Sequence, residues 1–259
     1  MNLFSDPHFR VEVMNQTSNP QQLIWRNMHQ CVSSEAAYDE PCPDEAEAGR
    51  AVVKHLLAGN RGHYSPLEAP QINLNIIGFN HATMGQVRTH RVGWHYSVQS
   101  FRYTGDKVYE LGKWWYDFEL TSDFALESAV LKEVNKVFYL RPVGQYLDRE
   151  GRKYEYTLGQ RIDDAYDAVN LACKYYKRIN QGFAPEHSRG MIPFDVRQNW
   201  GTSANVRSLM HLLDLRWAKG AQLECQVLCD LIWPHFESWV PEIAEWYNKN
   251  RAKKARLAP

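Results

Sequence analysis

Residues 86–103 contain the densest group of polar side chains in the sequence. These eighteen residues include three arginines, two histidines, two glutamines and two serines. Arginine favours bidentate contacts with phosphate or carboxylate, and serine and glutamine add neutral hydrogen-bond donors beside it. The composition favours a binding segment for one or more phosphorylated ligands over a solvated loop, because a loop that only faces water seldom carries so many aromatic residues. The interleaved aromatic residues are Trp94, Tyr96, Phe101 and Tyr103.

A second polar group lies in the last third of the sequence, around residues 205–216. Arg207 and His211 are four residues apart, so they would share one face of a helix. Arg216 lies nine residues after Arg207, and at about 100° per residue it would point roughly the opposite way. One ligand could hardly meet both faces within one chain. The spacing therefore favours a site assembled from several subunits.

Apolar periodicity predicts both strands and helices in the sequence before residue 205. Ile72, Leu74 and Ile76 alternate with polar residues, which is the pattern of a half-buried strand. Apolar residues spaced three or four apart predict helices instead. The predicted strands are residues 9–13, residues 69–79 and two short strands joined by a turn at Glu150-Gly151. The predicted helices are residues 20–28, 44–57, 80–87, 128–138 and 157–180.

The last third is predicted to be mostly helical. A helix is expected to begin after a cap at Thr202 or Ser203, and Gly220 interrupts the apolar pattern. Proline cannot continue a helical hydrogen-bond ladder but is well tolerated in a first turn. Pro234 is therefore expected to end one helix and Pro241 to open the last.

Length and composition indicate an ordinary globular protein. The chain has 259 residues, of which 44% are hydrophobic and 23% charged. We predict an α/β (α+β) fold, with a mixed sheet and a helical C-terminal third, in a single domain over residues 1–248. A basic, solvated tail is predicted over residues 249–259.

Charge and segment hydropathy limit the partners. Basic and acidic residues number 30 each, so no global field attracts nucleic acid or a membrane. No apolar run is long enough to cross a bilayer, and the first ten residues lack the order of a signal peptide. These features predict a cytoplasmic protein with no nucleic-acid and no membrane partner.

The five cysteines do not form a recognisable framework. Their number is odd and their spacing irregular, which argues against disulfides. Cys225 and Cys229 are one helical turn apart and could share a metal, but no matching His or Cys pair lies nearby. Buried thiols are therefore favoured, and no metal is predicted.

The polar segment resembles the signature of flavin-dependent thymidylate synthases. That signature reads Arg-His-Arg, seven residues, then Ser, with Arg-Tyr two residues after the Ser. Here the first part is Thr89-His90-Arg91, and Ser100 is followed by Phe-Arg-Tyr. The chain departs from the signature at Thr89, which replaces an arginine, and in a gap before Ser100 that is one residue longer.

Three further stretches resemble elements of the same family, in the same order. Residues 62–68 read Gly-His-Tyr-Ser-Pro-Leu-Glu, and residues 188–193 read Ser-Arg-Gly-Met-Ile-Pro. Residues 205–216, followed by Ala-Gln-Leu-Glu at 221–224, resemble the family's C-terminal helical signature. The resemblance covers about residues 9–233, and four ordered motifs are a specific signal.

The resemblance implies an enzyme that methylates dUMP. Methylene-tetrahydrofolate would supply the carbon, and FAD reduced by NADPH would carry the hydride. The family uses no covalent cysteine, and none of the cysteines falls in a matched motif. It also forms homotetramers with active sites at subunit interfaces, and we expect the same here.

The resemblance also assigns site residues. Arg216 would face the pyrimidine and stabilise negative charge that develops on the ring, and Ser100 would orient the substrate; both are predicted to be catalytic. Arg102 and Arg189 are the expected phosphate partners. The full dUMP set is Gln86, Arg88, Thr89, Gln99, Ser100, Phe101, Arg102, Arg189 and Arg216. The FAD set is His63, Ser65, Thr89, His90, Arg91, Asn205, Arg207 and His211.

Two alternatives stay open at this stage. The first is an enzyme of the same fold with altered chemistry, such as a nucleotide hydroxymethylase or a dCMP-directed variant. It arises because the resemblance would place Thr89, the longer gap and Val98, which stands where the family has an acid, near the pyrimidine. The second is a non-catalytic RNA- or nucleotide-binding module that uses the arginine and aromatic side chains.

Overall fold

A computed structural model describes residues 6–59, 63–119, 126–148 and 150–254. Gly62 of the matched motif and tail residues 255–259 therefore lie outside the described residues. Contacts group the chain into two compact units, and the single domain over residues 1–248 stays a prediction. Unit 1 comprises residues 1–8, 78–84 and 98–199, and unit 2 comprises residues 9–77, 85–97 and 200–259.

Helices and strands alternate along the first half of the chain, and helices dominate the end. No helix in the described ranges is both long and apolar enough to span a membrane. In order, the elements are β1 Arg10–Gln16, α1 Pro20–Gln30, α2 Glu45–Val52, β2 Gln71–Asn80, α3 His81–Val87, β3 Trp94–Val98, α4 Asp106–Glu119, α5 Leu126–Val137, β4 Gly144–Leu147, β5 Lys153–Tyr156, α6 Leu158–Asn180, α7 Pro185–Ser188, β6 Arg197–Asn205, α8 Val206–Arg216, α9 Leu223–Trp239 and α10 Pro241–Asn250.

The main sheet has four strands in the order β1-β2-β6-β3. β1 pairs antiparallel with β2, and the register shifts between Val13 and Asn15, which marks a bulge. A separate hairpin joins β4 and β5, and its turn uses Gly151 at a φ of 80°. The predicted mixed α/β fold with a helical C-terminal third is confirmed.

The core of unit 1 lies between α4, α5 and α6. Val108, Val134 and Val169 contribute one buried side chain from each helix. α4 and α6 approach closely at Gly112, where an added Cβ would lie 2.2 Å from the carbonyl oxygen of Ala172. Glycine is therefore required at this crossing, because any side chain would push the two helices apart.

α8, α9 and α10 contribute to the core of unit 2. Asp214 of α8 is buried and accepts hydrogen bonds from the Tyr247 hydroxyl, at 2.9 Å, and from the Arg251 guanidinium. Arg251 is only 5% exposed. It therefore departs from the predicted solvated tail, because its charge is neutralised by a buried carboxylate.

Two predicted boundaries in the last third are wrong. Thr202 and Ser203 lie in β6, and Asn205 caps α8 instead by accepting from the Ser208 N–H at 2.8 Å. Pro234 lies inside α9 and does not end it. Contacts on the C-terminal side of Pro234 hold the helix together, for example the bond from the Trp239 indole to the Thr17 carbonyl at 3.0 Å.

Substitution of Gly112 tests the close crossing of α4 and α6. Gly112→Ala should lower the free energy of unfolding by about 1–3 kcal/mol, because the new methyl group has no room beside the Ala172 carbonyl. The matched control is Gly159→Ala in the first turn of α6, where an added Cβ would meet nothing closer than 3.9 Å. Urea unfolding of both variants measures the difference, and equal midpoints would contradict the packing described.

Candidate active site

The turn after α3 brings Thr89 and His90 to the site. The His90 N–H donates to the Val87 carbonyl at 3.0 Å, and the Thr89 hydroxyl donates to the Gln86 carbonyl at 2.7 Å. The Tyr96 hydroxyl of β3 donates to the same Val87 carbonyl at 2.9 Å. The last carbonyl groups of α3 are therefore paired with residues of the following turn, and the Tyr96 hydroxyl fixes this end of α3 against β3.

α8 is attached to the loop that follows this turn. The Ser208 hydroxyl donates to the Val92 carbonyl at 2.8 Å, while Asn205 is occupied as the helix cap. Gly93 has a φ of 69°, and an added Cβ would lie 2.2 Å from the Ser208 oxygen. The loop can therefore reach the start of α8 only because residue 93 is glycine.

The far end of α8 returns to the same turn. Arg216 donates from Nε to His90 Nε2 at 3.0 Å and from Nη2 to Thr89 Oγ1 at 3.2 Å. The His90 ring also meets the His211 ring edge-on, with centroids 5.5 Å apart. Two matched motifs that are more than a hundred residues apart in sequence are thus in direct contact.

These residues surround a cleft of about 280 Å³ in unit 2. Two buried nitrogens in its wall, His211 Nδ1 and Trp94 Nε1, have no hydrogen-bond partner among the described residues. Buried polar groups are rarely left unpaired, so these two nitrogens mark where the wall of the cleft lacks hydrogen-bond partners. The cleft is lined by Thr89, His90, Arg91, Val92, Trp94, His211, Leu215 and Arg216.

The prediction of two opposed faces on α8 is wrong for His211 and Arg216. Both side chains line the cleft, because Arg216 ends the helix and its long side chain leans back along the axis. Arg207 does diverge from Arg216: it pairs with Glu68 at 2.6 Å and lies over the Tyr64 ring at 6.0 Å.

Burial makes His90 a neutral residue. It is 7% exposed, and this desolvation, with Arg216 and His211 adding positive charge nearby, lowers the pKa of His90 to about 4. A neutral imidazole keeps one nitrogen free to accept a hydrogen bond. His90 Nε2 is therefore the acceptor for Arg216 at neutral pH.

Of the remaining residues in the predicted FAD set, three are exposed and one is buried. His63, Ser65 and Arg91 are exposed, whereas Asn205 is buried with its side-chain oxygen committed to the cap. The exposed side chains are free to meet a ligand. Asn205 contributes mainly by fixing where α8 begins.

Part of the predicted dUMP set lies in unit 1. Gln99 is held by β6, with its Oε1 accepting from the Asn199 N–H at 3.0 Å. Ser100 opens a turn in which its carbonyl accepts from the Tyr103 N–H at 2.9 Å. Arg102 lies 3.8 Å from Glu186, and Arg189 is exposed. Each arginine therefore has N–H donors that face solvent.

Unit 2 contains the rest of that set. Gln86, Arg88 and Thr89 are exposed, and Arg216 is half-buried in the cleft. Sequence reasoning did not assign Trp94 or Leu215 to the site. Trp94 belongs to the aromatic series in the polar segment, which was the available signal, whereas nothing in the sequence distinguishes Leu215 from a core leucine.

The cysteines are free thiols. Cys173, Cys225 and Cys229 are buried, and burial raises the pKa of the Cys225 thiol to about 12. Within the described ranges, no three His, Cys, Asp or Glu side chains are grouped to hold a metal ion. A thiol that stays protonated is a poor nucleophile, so Cys225 packs as an apolar residue.

Comparison with known proteins gives consistent matches. Residues 12–242 match the family described as thymidylate synthase complementing protein. A flavin-dependent thymidylate synthase of Halobacterium salinarum is 28% identical over 266 residues, which cover 96% of this chain and 100% of that protein. The family and the enzyme class predicted from the four motifs are confirmed.

Two solved structures share the fold. Thymidylate synthase X from Helicobacter pylori, crystallised with FAD and dUMP, has a TM-score of 0.66 and 18% identity, covering 91% of this chain and 98% of its own. The UMP/dUMP methylase PolB from Streptomyces cacaoi, bound with 5-Br dUMP, has a TM-score of 0.68 and 17% identity, covering 97% and 98%.

The low pKa of His90 predicts how stability changes with pH. The unfolded histidine, with a pKa of 6.5, takes up a proton before the folded one does at about 4, so the folded state loses stability as pH falls between these values. From pH 7 to pH 5 this contribution falls by about 2 kcal/mol. His90→Gln should remove that part of the loss, measured as unfolding free energies of both proteins at both pH values. Equal losses in the two proteins would show that His90 is not held neutral.

Proposed function

The chain belongs to the thymidylate synthase complementing protein family, and from that premise we propose that it is a flavin-dependent thymidylate synthase that converts dUMP to dTMP. One observation carries the proposal: Thr89 and His90 from the first signature meet His211 and Arg216 from the C-terminal signature around one cleft. The relative from Halobacterium salinarum, matched over its full length, carries the same name.

The cleft fits part of a flavin nucleotide. FAD combines phosphates, which need cationic or N–H donors, with a ring whose polar edges need hydrogen bonds. Arg91 is exposed at the cleft, the unpaired Trp94 Nε1–H is a donor, and the unpaired His211 Nδ1 is a donor or an acceptor according to the tautomer. When bound, FAD reduced by NADPH supplies a hydride, and methylene-tetrahydrofolate supplies the carbon. The proposed FAD contacts are His63, Ser65, Thr89, His90, Arg91, Asn205, Arg207 and His211.

To bind FAD, Arg207 would use some of its N–H donors for Glu68 and others for the nucleotide. Its Nη1 nitrogen is engaged by Glu68, yet the side chain is about one-third exposed, at 36%. A guanidinium has five N–H donors, so a phosphate or ribose oxygen could be bound while the bond to Glu68 is kept. Glu68 would then fix the direction from which Arg207 meets the nucleotide.

For dUMP, the proposal separates recognition of the phosphate from recognition of the base. Arg102 and Arg189 bind the phosphate, since both present solvent-facing guanidinium groups. Arg216 binds the pyrimidine and stabilises negative charge on the ring, and Ser100 orients it. These two are the proposed catalytic residues. Gln86, Arg88, Thr89, Gln99 and Phe101 complete the proposed dUMP contacts.

We further propose a homotetramer whose subunits jointly form each active site. A cleft of about 280 Å³ lies at the lower end of the usual range for ligand pockets, which begins at about 300 Å³ for drug-sized molecules. It would enclose only a part of a dinucleotide. The exposed cationic side chains along residues 88–102 are suited to meet the rest of each ligand across a subunit boundary.

A second candidate function is methylation of UMP as well as dUMP. It is favoured by the fold likeness to the UMP/dUMP methylase, which covers 97% of this chain. The two nucleotides differ by one ribose hydroxyl, so they would share the pyrimidine and phosphate contacts proposed above. Discrimination would then depend on the groups around the ribose.

Product analysis tests the proposal directly. The purified protein, supplied with FAD, NADPH and methylene-tetrahydrofolate, should form dTMP from dUMP, as measured by chromatography and mass spectrometry. Parallel reactions contain UMP or dCMP. Product from UMP at a similar rate would establish the second candidate, hydroxymethylated product would indicate altered chemistry, and no product from any nucleotide would overturn the proposal.

Arg216→Ala tests the role assigned to the arginine at the end of α8. Turnover of dUMP should fall at least about a hundredfold, because one preorganised charged donor to a developing anion is typically worth that much. The flavin content of the purified protein should stay near that of the wild type. Lys219→Ala, an exposed lysine three residues further on, is the matched control and should leave both unchanged. Normal turnover by Arg216→Ala would remove Arg216 from the mechanism.

A further inference from the structure

Arg216 is held by one edge of its guanidinium group. The Nε–H and one Nη2–H point in parallel from that edge, and they donate to His90 Nε2 at 3.0 Å and Thr89 Oγ1 at 3.2 Å. Five N–H donors are available in a guanidinium, and their directions are fixed by its planar geometry. Occupying one edge therefore fixes the plane and the direction of the other donors.

We propose that Thr89 and His90 are positioning residues for Arg216. They bind this edge of the guanidinium group, so that the Nη1–Nη2 edge faces the pyrimidine ring of the substrate. The inference rests on the proposed function for the identity of the substrate. Within the described part of the chain, Nη1 of Arg216 has no hydrogen-bond partner, and Arg216 is half-buried in the cleft wall. Two parallel donors are left to meet a ring carbonyl or a deprotonated ring edge.

The Thr89 hydroxyl is oriented to accept from Arg216. Its proton is directed to the Gln86 carbonyl at 2.7 Å, so the lone pairs of the oxygen face the other way. Arg216, Thr89 and Gln86 therefore form a chain of hydrogen bonds that ends on the backbone of α3. Since a hydroxyl can also rotate, this backbone acceptor is what fixes its direction.

His90 can accept from Arg216 in only one tautomer. Because the Arg216 Nε–H donates to Nε2, the ring must be neutral with its proton on Nδ1. Burial of His90 and the positive charge of Arg216 both disfavour the imidazolium form. The ring of His211 packs edge-on against the His90 ring, with centroids 5.5 Å apart, so a rotation of His90 away from Arg216 would also change that contact.

A double-mutant cycle between Thr89 and Arg216 tests the inference. Thr89→Val keeps the shape but removes the acceptor, and Thr89→Ser keeps the acceptor as the matched control. Thr89→Val should lower kcat for dUMP about tenfold, or about 1.4 kcal/mol, while Thr89→Ser stays within about twofold. In an Arg216→Ala background, Thr89→Val should have almost no further effect, since positioning requires the arginine.

Kinetics at saturating FAD, with saturation established by fluorescence titration, separate positioning from direct cofactor contact. Because Thr89 is also a proposed FAD contact, kcat is compared at saturating FAD, where a change in FAD affinity no longer affects it. If Thr89 acts through Arg216, the loss of kcat disappears in the Arg216→Ala background; a loss of kcat that persists without Arg216, or a kcat equal to the wild type, would each overturn the inference. His90→Gln, which retains an acceptor, should retain more activity than His90→Leu, and equal activities would count against the role of His90.

Nucleotide binding keeps the test independent of turnover. If the wild type forms no methylated product, the proposed function fails, and calorimetric titration with dUMP still reports on Arg216. Thr89→Val should then weaken dUMP binding more in proteins that contain Arg216 than in those that lack it, because the part that acts through Arg216 is lost only in the former. Equal weakening with and without Arg216, or absence of dUMP binding in the wild type, would overturn the inference.

Discussion

The hydrogen bond from Arg216 to a neutral, buried His90 is the constraint on which the rest of the site depends. It requires both ends of α8 to lie close to the turn after α3 and to the loop that follows that turn. Gly93 permits that approach at the start of α8, and the Ser208 hydroxyl fixes it there. Asp214 lies on the same helix and binds Arg251, so the opposite side of α8 is also held within unit 2. A rigid helix thus carries two cleft residues, and small shifts at either end would misplace both.

Polar residues in this protein divide into those used internally and those left for a ligand. Asn205 and Gln99 have their side-chain oxygens committed to backbone N–H groups, and Thr89 links Arg216 to α3. Arg91 and Arg189, in contrast, are exposed to solvent. Such a division is what preorganisation requires, because donors aimed at a ligand must be supported by groups that do not move. It also explains how a chain with no net charge would provide the proposed local anion site.

Local sequence patterns predicted most elements but not all of them. The alternation in β2 and the apolar spacing in α6 are local patterns, so both elements were predicted, and the capping box at Thr157 fixes where α6 begins. β6 was missed because it is polar and begins with Arg197, whose buried guanidinium depends on partners distant in sequence, among them Asp6, 191 residues away, and the Gly78 carbonyl. The prediction that Pro234 ends a helix was wrong for a similar reason. Contacts made by α9 outweigh the hydrogen bond that proline removes. The four motifs supplied the residues proposed for the site, but the convergence of His211 and Arg216 on one cleft depended on side-chain length and direction, which periodicity does not encode.

A crystal structure of the protein with FAD and dUMP tests the account most directly. The account predicts that Arg216 keeps its bonds to His90 and Thr89 while its Nη1–Nη2 edge meets the pyrimidine, and that His211 and Arg91 contact the flavin nucleotide. Arg216 turned away from both His90 and the pyrimidine, with the ligands bound elsewhere on the chain, would contradict it.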